Sequence, residues 1–154
     1  MAALAATLRS HRRVGIDTSV FIYHLEGSTH FAGPAGIALA ELAAGAFEGV
    51  TPVLTLMEIA VKPLQLGRPD VADEYDVLLG MYPHLVVADV DRDAARRAAE
   101  LRVAYRLRPV DALQVAVCLQ HGATAFVTND RELRRIVDLQ VLLLKDFVDP
   151  GADD

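Results

Sequence analysis

The chain has 154 residues, 53% of them hydrophobic, a formal net charge of -6 and one cysteine, Cys118. A single domain with a packed core fits that length and composition; no apolar stretch approaches the roughly 20 residues that cross a bilayer, and the opening Met1-Ala2-Ala3-Leu4-Ala5-Ala6 lacks the basic-then-apolar order of a signal peptide. The expectation is a soluble cytoplasmic protein without disulfides or cysteine-ligated metal, whose acidic balance argues against a broad phosphate-binding surface but leaves room for a local basic rim.

Val14-Gly15-Ile16 is predicted as a short buried strand that delivers Asp17 to the lip of a sheet, with Thr18 or Ser19 placed to cap a helix beginning at Val20. Glu26-Gly27-Ser28-Thr29 ends that helix. Pro34 suits the first turn of the next, whose apolar positions Ile37, Leu39, Leu42, Ala43, Ala46 and Phe47 recur at helical spacing until Gly49 stops it. Val50 to Leu54 reads as the second strand, where Pro52 predicts pairing only beyond it, or a bulge. Thr55-Leu56-Met57-Glu58 has the capping-box pattern, and Pro63 is expected to kink or end the helix that follows.

A helix from about Pro69 to Met81 leads to a third strand at Leu85-Val86-Val87. Asp91 is placed to cap a long helix carrying Ala94, Ala95, Ala98, Leu101 and Tyr105, closed by Leu107-Arg108. Pro109 opens the next helix, which runs through Asp111 and Cys118 to Gly122; Cys118, among apolar neighbours, reads as a buried, inert thiol. Ala125 to Thr128 is the fourth strand, Asn129-Asp130 starts a helix reaching about Val137, and Gln140 to Leu144 is the fifth strand. Strands alternating with helices predict a parallel sheet in a three-layer α/β/α sandwich, one domain over residues 1–148 with a frayed tail at 149–154.

Asp17, Glu58, Asp111 and Asp130 all fall at predicted helix beginnings. Three follow strands, and Asp111 begins a helix antiparallel to strand four, so all four reach the carboxyl edge of the sheet, where ligands bind in open α/β folds. Each acid alone has a structural explanation as a cap or a dipole partner. Together they repel: two unit charges about 4 Å apart cost about 4 kcal/mol at an effective dielectric near 20. Protonation, intervening basic side chains or a divalent cation must compensate, and an oxygen-only donor set favours Mg²⁺ or Mn²⁺ over zinc. Such an ion polarises phosphoryl oxygens and activates water.

The segments Ile16-Asp17-Thr18-Ser19, Leu56-Met57-Glu58-Ile59, Asp111-Ala112-Leu113-Gln114-Val115-Ala116 and Thr128-Asn129-Asp130-Arg131-Glu132-Leu133, in that order, resemble the PIN-domain family, and within it the VapC-type ribonuclease toxins. The resemblance covers Val14 to about Phe147. It implies a sheet of order 3-2-1-4-5 and a metal-dependent endoribonuclease that cuts single-stranded RNA, leaving a 5′-phosphate. The family's four acids carry over onto Asp17, Glu58, Asp111 and Asp130, with Asp17 and Asp111 the first-choice metal ligands. Thr18, Ser19, Thr128, Asn129 and Glu132 would support them, and Arg108 and Arg131 would contact RNA. The same resemblance implies a homodimer and a cognate antitoxin.

Other readings compete. A phosphoryl-acceptor receiver wants paired acids after strand one, but Thr18 follows Asp17; a haloacid-dehalogenase-type phosphatase wants a second Asp where Ser19 stands. A degenerate PIN scaffold that binds RNA or protein, and a housekeeping RNA-processing nuclease, are the further alternatives. The five histidines, His11, His24, His30, His84 and His121, are scattered without the spacing of a zinc motif.

Overall fold

The computed structural model of the protein describes residues 1–28 and 30–148; Thr29 and the tail expected to fray, 149–154, lie outside the described residues. Five strands, β1 (Arg13–Ile16), β2 (Glu48–Pro52), β3 (Leu85–Ala88), β4 (Ala125–Thr128) and β5 (Gln140–Leu143), form one sheet of order β3-β2-β1-β4-β5. Every pairing is parallel, with Val14 opposite Gly49 on one side and Ala125 on the other. The helices are α1 (Ala2–Arg9), α2 (Thr18–Glu26), α3 (Ala32–Ala43), α4 (Leu54–Gln65), α5 (Pro69–Gly80), α6 (Arg92–Tyr105) and α7 (Pro109–Gln120).

Because side chains alternate along a strand, β1 and β4 feed two cores. Val14, Ile16, Ala125 and Val127 pack with Leu4 and Leu8 of α1, Val20 and Phe21 of α2, and Leu39 and Leu42 of α3. Phe126 and Val50 point the other way, against Ala94, Ala98 and Leu101 of α6 and Val115, Val117 and Cys118 of α7. The outcome is the expected three-layer sandwich with β1 central. Gly15 lets α7 lie directly on β1: a methyl group there would sit 2.6 Å from Phe126 Cδ2 and 2.7 Å from Cys118 Sγ.

Several local expectations give way to tertiary demands. Neither Thr18 nor Ser19 caps α2; Asp17 holds the cap position, and Thr18 is already helical with its hydroxyl turned inward. The capping box fails likewise, since α4 starts at Leu54 and Thr55 is a fully buried first-turn residue bonded to Thr51. Pairing stops at Pro52 rather than starting beyond it. Glu48 N donates toward β1 and Gly49 N and Val53 N toward β3, so by alternation the absent Pro52 N–H belongs on the β1 side, where pairing has already ended at Val50.

Pro63 lies buried inside α4, which continues to Gln65; so near the end, its missing donor breaks little of the ladder. Gly45, at φ +77°, stops α3, whereas Gly49 lies in β2 beneath Leu42, whose Cδ1 would be 2.8 Å from an added methyl group. Asp91 does cap α6, accepting from Ala94 N at 2.8 Å, but α6 ends at Tyr105, with Arg106 in the left-handed conformation. The last predicted helix is a single 3-10 turn, Arg131–Arg135. Among the described residues α1 is an addition to the sequence expectation.

Candidate functional site

Asp17 is set by the sheet itself. Its N–H donates to Val127 O at 3.0 Å, prolonging the β1–β4 ladder by one residue before the chain turns into α2. Its Oδ2 accepts from Thr128 Oγ1 at 2.6 Å and from Ser19 Oγ at 3.4 Å, so the last residue of β4 reaches across to hold the acid at the end of β1. Burial raises the Asp17 carboxyl from 3.8 to about 6; the Thr128 hydrogen bond opposes that rise, and the charges of Glu58 and Asp111 add to it.

Glu58 comes from the second turn of α4, where Thr18 Oγ1 at 2.7 Å and Gln114 Nε2 at 2.8 Å both donate to its Oε1. Asp111 lies in the first turn of α7, and Asp130 precedes the 3-10 turn, where its Oδ1 accepts from Glu132 N at 2.9 Å and caps that turn. Thr128 Oγ1 also accepts from Asp130 N at 3.1 Å. One hydroxyl thereby couples the first and fourth acids.

Arg108, at the N-cap of α7, bridges the third and fourth: Nε donates to Asp111 Oδ2 at 3.0 Å and Nη2 approaches Asp130 Oδ2 at 3.5 Å. All four acids line one cleft of about 340 Å³ with Thr18, Ser19 and Arg108. Among the described residues at least two hollows are larger. One, of about 510 Å³, opens at the amino edge of the strands beside Arg12, Glu48 and His84, and the other, of about 520 Å³, is an apolar shelf on α5. Neither gathers several acids at the carboxyl edge, where a parallel sheet binds ligands.

The supporting residues divide. Thr128 and Ser19 touch Asp17, whereas Thr18 braces Glu58 instead. Asn129 lines the cleft, donating to the Tyr23 hydroxyl at 3.3 Å and accepting Lys145 N at 3.1 Å. Glu132 turns away to Arg135 at 3.1 Å and lines an adjoining hollow of about 150 Å³ with Arg106, Arg108 and Asp111. Arg131 lines neither space; desolvation and then its charge, with that of Arg134, hold Lys145 below the usual lysine range. Gln114 is the residue that sequence reasoning overlooked. The only signal was one amide in the apolar run Ala112-Leu113-Gln114-Val115-Ala116-Val117.

The donor set suits a hard divalent cation: carboxylate oxygens around a cleft, one of them raised to about 6 by burial and then by its acidic neighbours, and a guanidinium already tied between two others. The acids ring the cleft without closing on one point, since among the described residues no three acidic, histidine or cysteine side chains are gathered tightly enough to hold an ion.

The sequence profile of the PIN domain matches residues 14–139, which include all four acids. No curated protein matches the chain. Among solved structures, a toxin-antitoxin complex from Klebsiella pneumoniae superposes with a TM-score of 0.66 at 20% identity, covering 85% of this chain and 97% of that one. VapBC2 from Rickettsia felis, bound to a promoter DNA fragment, gives 0.67 at 17% identity over 85% of this chain and 98% of its own. FitAcB from Neisseria gonorrhoeae gives 0.65 at 16% over 85% and 97%. At such identities these likenesses speak for the fold alone.

Proposed function

The chain belongs to the PIN-domain family, and on that premise we propose that it is a metal-dependent endoribonuclease that cuts single-stranded RNA by attack of an activated water. The observation that carries this reading is the convergence of Asp17, Glu58, Asp111 and Asp130 on one cleft at the carboxyl edge of the sheet. Asp17, Asp111, Glu58 and Asp130 would hold Mg²⁺ or Mn²⁺. A bound ion of that kind polarises a phosphoryl oxygen and lowers the pKa of water.

The chain's own residues supply the rest. Thr128 and Ser19 hold one oxygen of Asp17, while Thr18 and Gln114 hold Glu58. Arg108, four-fifths exposed at its side chain, can exchange its two carboxylates for an RNA phosphate, and Arg106 and Arg135 line the adjoining hollow. These arginines, with Arg131, Arg134 and Lys145 beyond Asn129, give a local basic rim on a chain of net charge -6. That reconciles the acidic composition with a phosphate-bearing substrate.

A protein partner belongs to the same reading. The similar structures include toxin-antitoxin complexes, and α4 and α5, with Met81 just past the end of α5, expose Met57, Val61, Leu64, Val77, Leu78 and Met81, more apolar surface than solvent-facing helices need. A cognate antitoxin and a second copy of the chain are the proposed occupants, and a toxin working on cytoplasmic RNA is the proposed role. Among the described residues no helix is long and apolar enough to cross a membrane.

The test is cleavage of a defined single-stranded RNA by purified protein with Mn²⁺ or Mg²⁺. Cutting should stop with EDTA and in Asp17→Asn and Asp111→Asn. Undiminished cutting by both variants would remove the acids from the mechanism. Binding of RNA without cutting, in protein that ignores Mn²⁺, would favour the degenerate scaffold.

A further inference from the structure

Gln114 stands in the middle of α7, 2% exposed, among Ala112, Val115, Ala116, Val117 and Cys118. Leu or Met would fill that space without a polar atom. Instead its amide nitrogen lies 2.8 Å from Glu58 Oε1, 3.0 Å from Thr18 Oγ1 and 3.5 Å from Thr55 Oγ1. Its own Oε1 is buried with no hydrogen-bond partner among the described residues. Turning the amide over would put that oxygen against Glu58 Oε1 and leave the NH₂ group without an acceptor. The donor-forward orientation, assigned from these partners, is the one an ionised Glu58 requires.

Counting protons gives the surrounding hydroxyls a direction. Thr51 Oγ1 is 2.7 Å from Thr55 Oγ1, which is 3.0 Å from Thr18 Oγ1, which is 2.7 Å from Glu58 Oε1. Each hydroxyl has one proton and a carboxylate has none. Thr18 therefore donates to Glu58, Thr55 to Thr18 and Thr51 to Thr55, and Gln114 fills the remaining acceptor site of Thr18. All three hydroxyls are buried, at 2% exposure or less, so each bond acts in a low-dielectric setting where aligned donors reinforce one another. Both terminal donors close on Oε1, and Oε2 accepts no hydrogen bond within the described residues.

We propose that Gln114 is a positioning residue for Glu58: with the Thr51-Thr55-Thr18 chain it clamps one carboxylate oxygen and presents the other to the cleft for a divalent cation. This rests on the metal-dependent reading above. It explains why the fold keeps a buried amide with an unpartnered oxygen where an apolar side chain would pack. The carboxylate would otherwise swing about the Cγ–Cδ bond and meet an ion with either oxygen.

The experiment is Mn²⁺ titration by calorimetry of the wild type, Gln114→Met, Glu58→Ala and the double variant, with thermal unfolding in EDTA to establish that each is folded. Gln114→Met should weaken Mn²⁺ binding roughly 10- to 100-fold, the range for residues that orient metal ligands, and should change it less than about twofold when Glu58 is already Ala. An unchanged affinity in Gln114→Met, or the same loss with and without Glu58, overturns the assignment while leaving the nuclease reading standing. A wild type that neither binds Mn²⁺ nor cuts RNA overturns both. Should Gln114→Met fail to fold, Thr55→Val, which interrupts the hydroxyl chain without touching Glu58, should show a loss of the same sign that again vanishes in Glu58→Ala.

Discussion

In metal-free protein Asp17 should make the fold less stable as pH rises. Its carboxyl protonates at 3.8 in the unfolded chain and at about 6 in the folded one, so between those values the folded state holds the proton more tightly. The stabilisation is fully present below the unfolded value and is lost as pH climbs through the folded one. A difference of about two pH units corresponds to about 3 kcal/mol at 1.36 kcal/mol per unit. For a chain of this size that is a shift of about 6–12 °C in melting temperature. Asp17→Asn has no such titration, so urea unfolding of wild type and variant in EDTA should diverge in the variant's favour from pH 4 to pH 8, by about that amount. Carboxylates remote from Asp17 cancel in the difference, and Glu58 and Asp111, whose charges add to the Asp17 shift, enter it only through that coupling. Saturating Mn²⁺ at pH 8 should restore the wild type and not the variant, by the linkage of binding to stability. A flat difference across this pH range would refute the claim that burial and neighbouring acids strain Asp17.

Gly15→Ala should cost about 1–3 kcal/mol in urea unfolding, since its methyl group overlaps Phe126 and Cys118 in the packed interior; an unaltered midpoint would mean that α7 is free to lift from β1. Arg108→Ala should tighten Mn²⁺ binding about two- to fivefold by releasing Asp111 and Asp130 from an exposed ion pair, while raising KM for RNA. Weaker Mn²⁺ binding would show that the guanidinium organises the acids instead of competing with the ion. Cys118 is fully buried, and burial followed by the Asp17 charge pushes its thiol well above the ordinary range. It should resist a disulfide reagent at pH 8 until urea unfolds the chain, which release of the coloured thiolate will report.

The parallel sheet was legible because short β-branched runs alternate with helical periodicity, and its carboxyl edge because acids follow β1, β2 and β4; the strand order came only with the resemblance to the PIN-domain family. What misled was local chemistry with a second use. Thr55 and Glu58 have capping-box spacing, yet Thr55 is needed by Thr51 and Thr18 in the interior. Thr18 follows the same logic, leaving the cap position of α2 to Asp17. Pro52 looked disruptive because strand neighbours and strand ends are invisible in one dimension. Gln114 was hidden for the same reason: its partners lie 56 and 96 residues away in sequence, and no periodicity in α7 distinguishes a buried amide from a packing residue.

The extra rung from Asp17 N to Val127 O ties this acid to the most protected part of the molecule. A residue on a loop can drift while the domain stays folded; one stitched between two central strands moves only when those strands part. Its amide should therefore exchange with solvent at the rate of global opening. Heating should accordingly leave this acid in place until the whole domain melts, whereas Asp130, the cap of a single 3-10 turn, is the acid that local fraying reaches first.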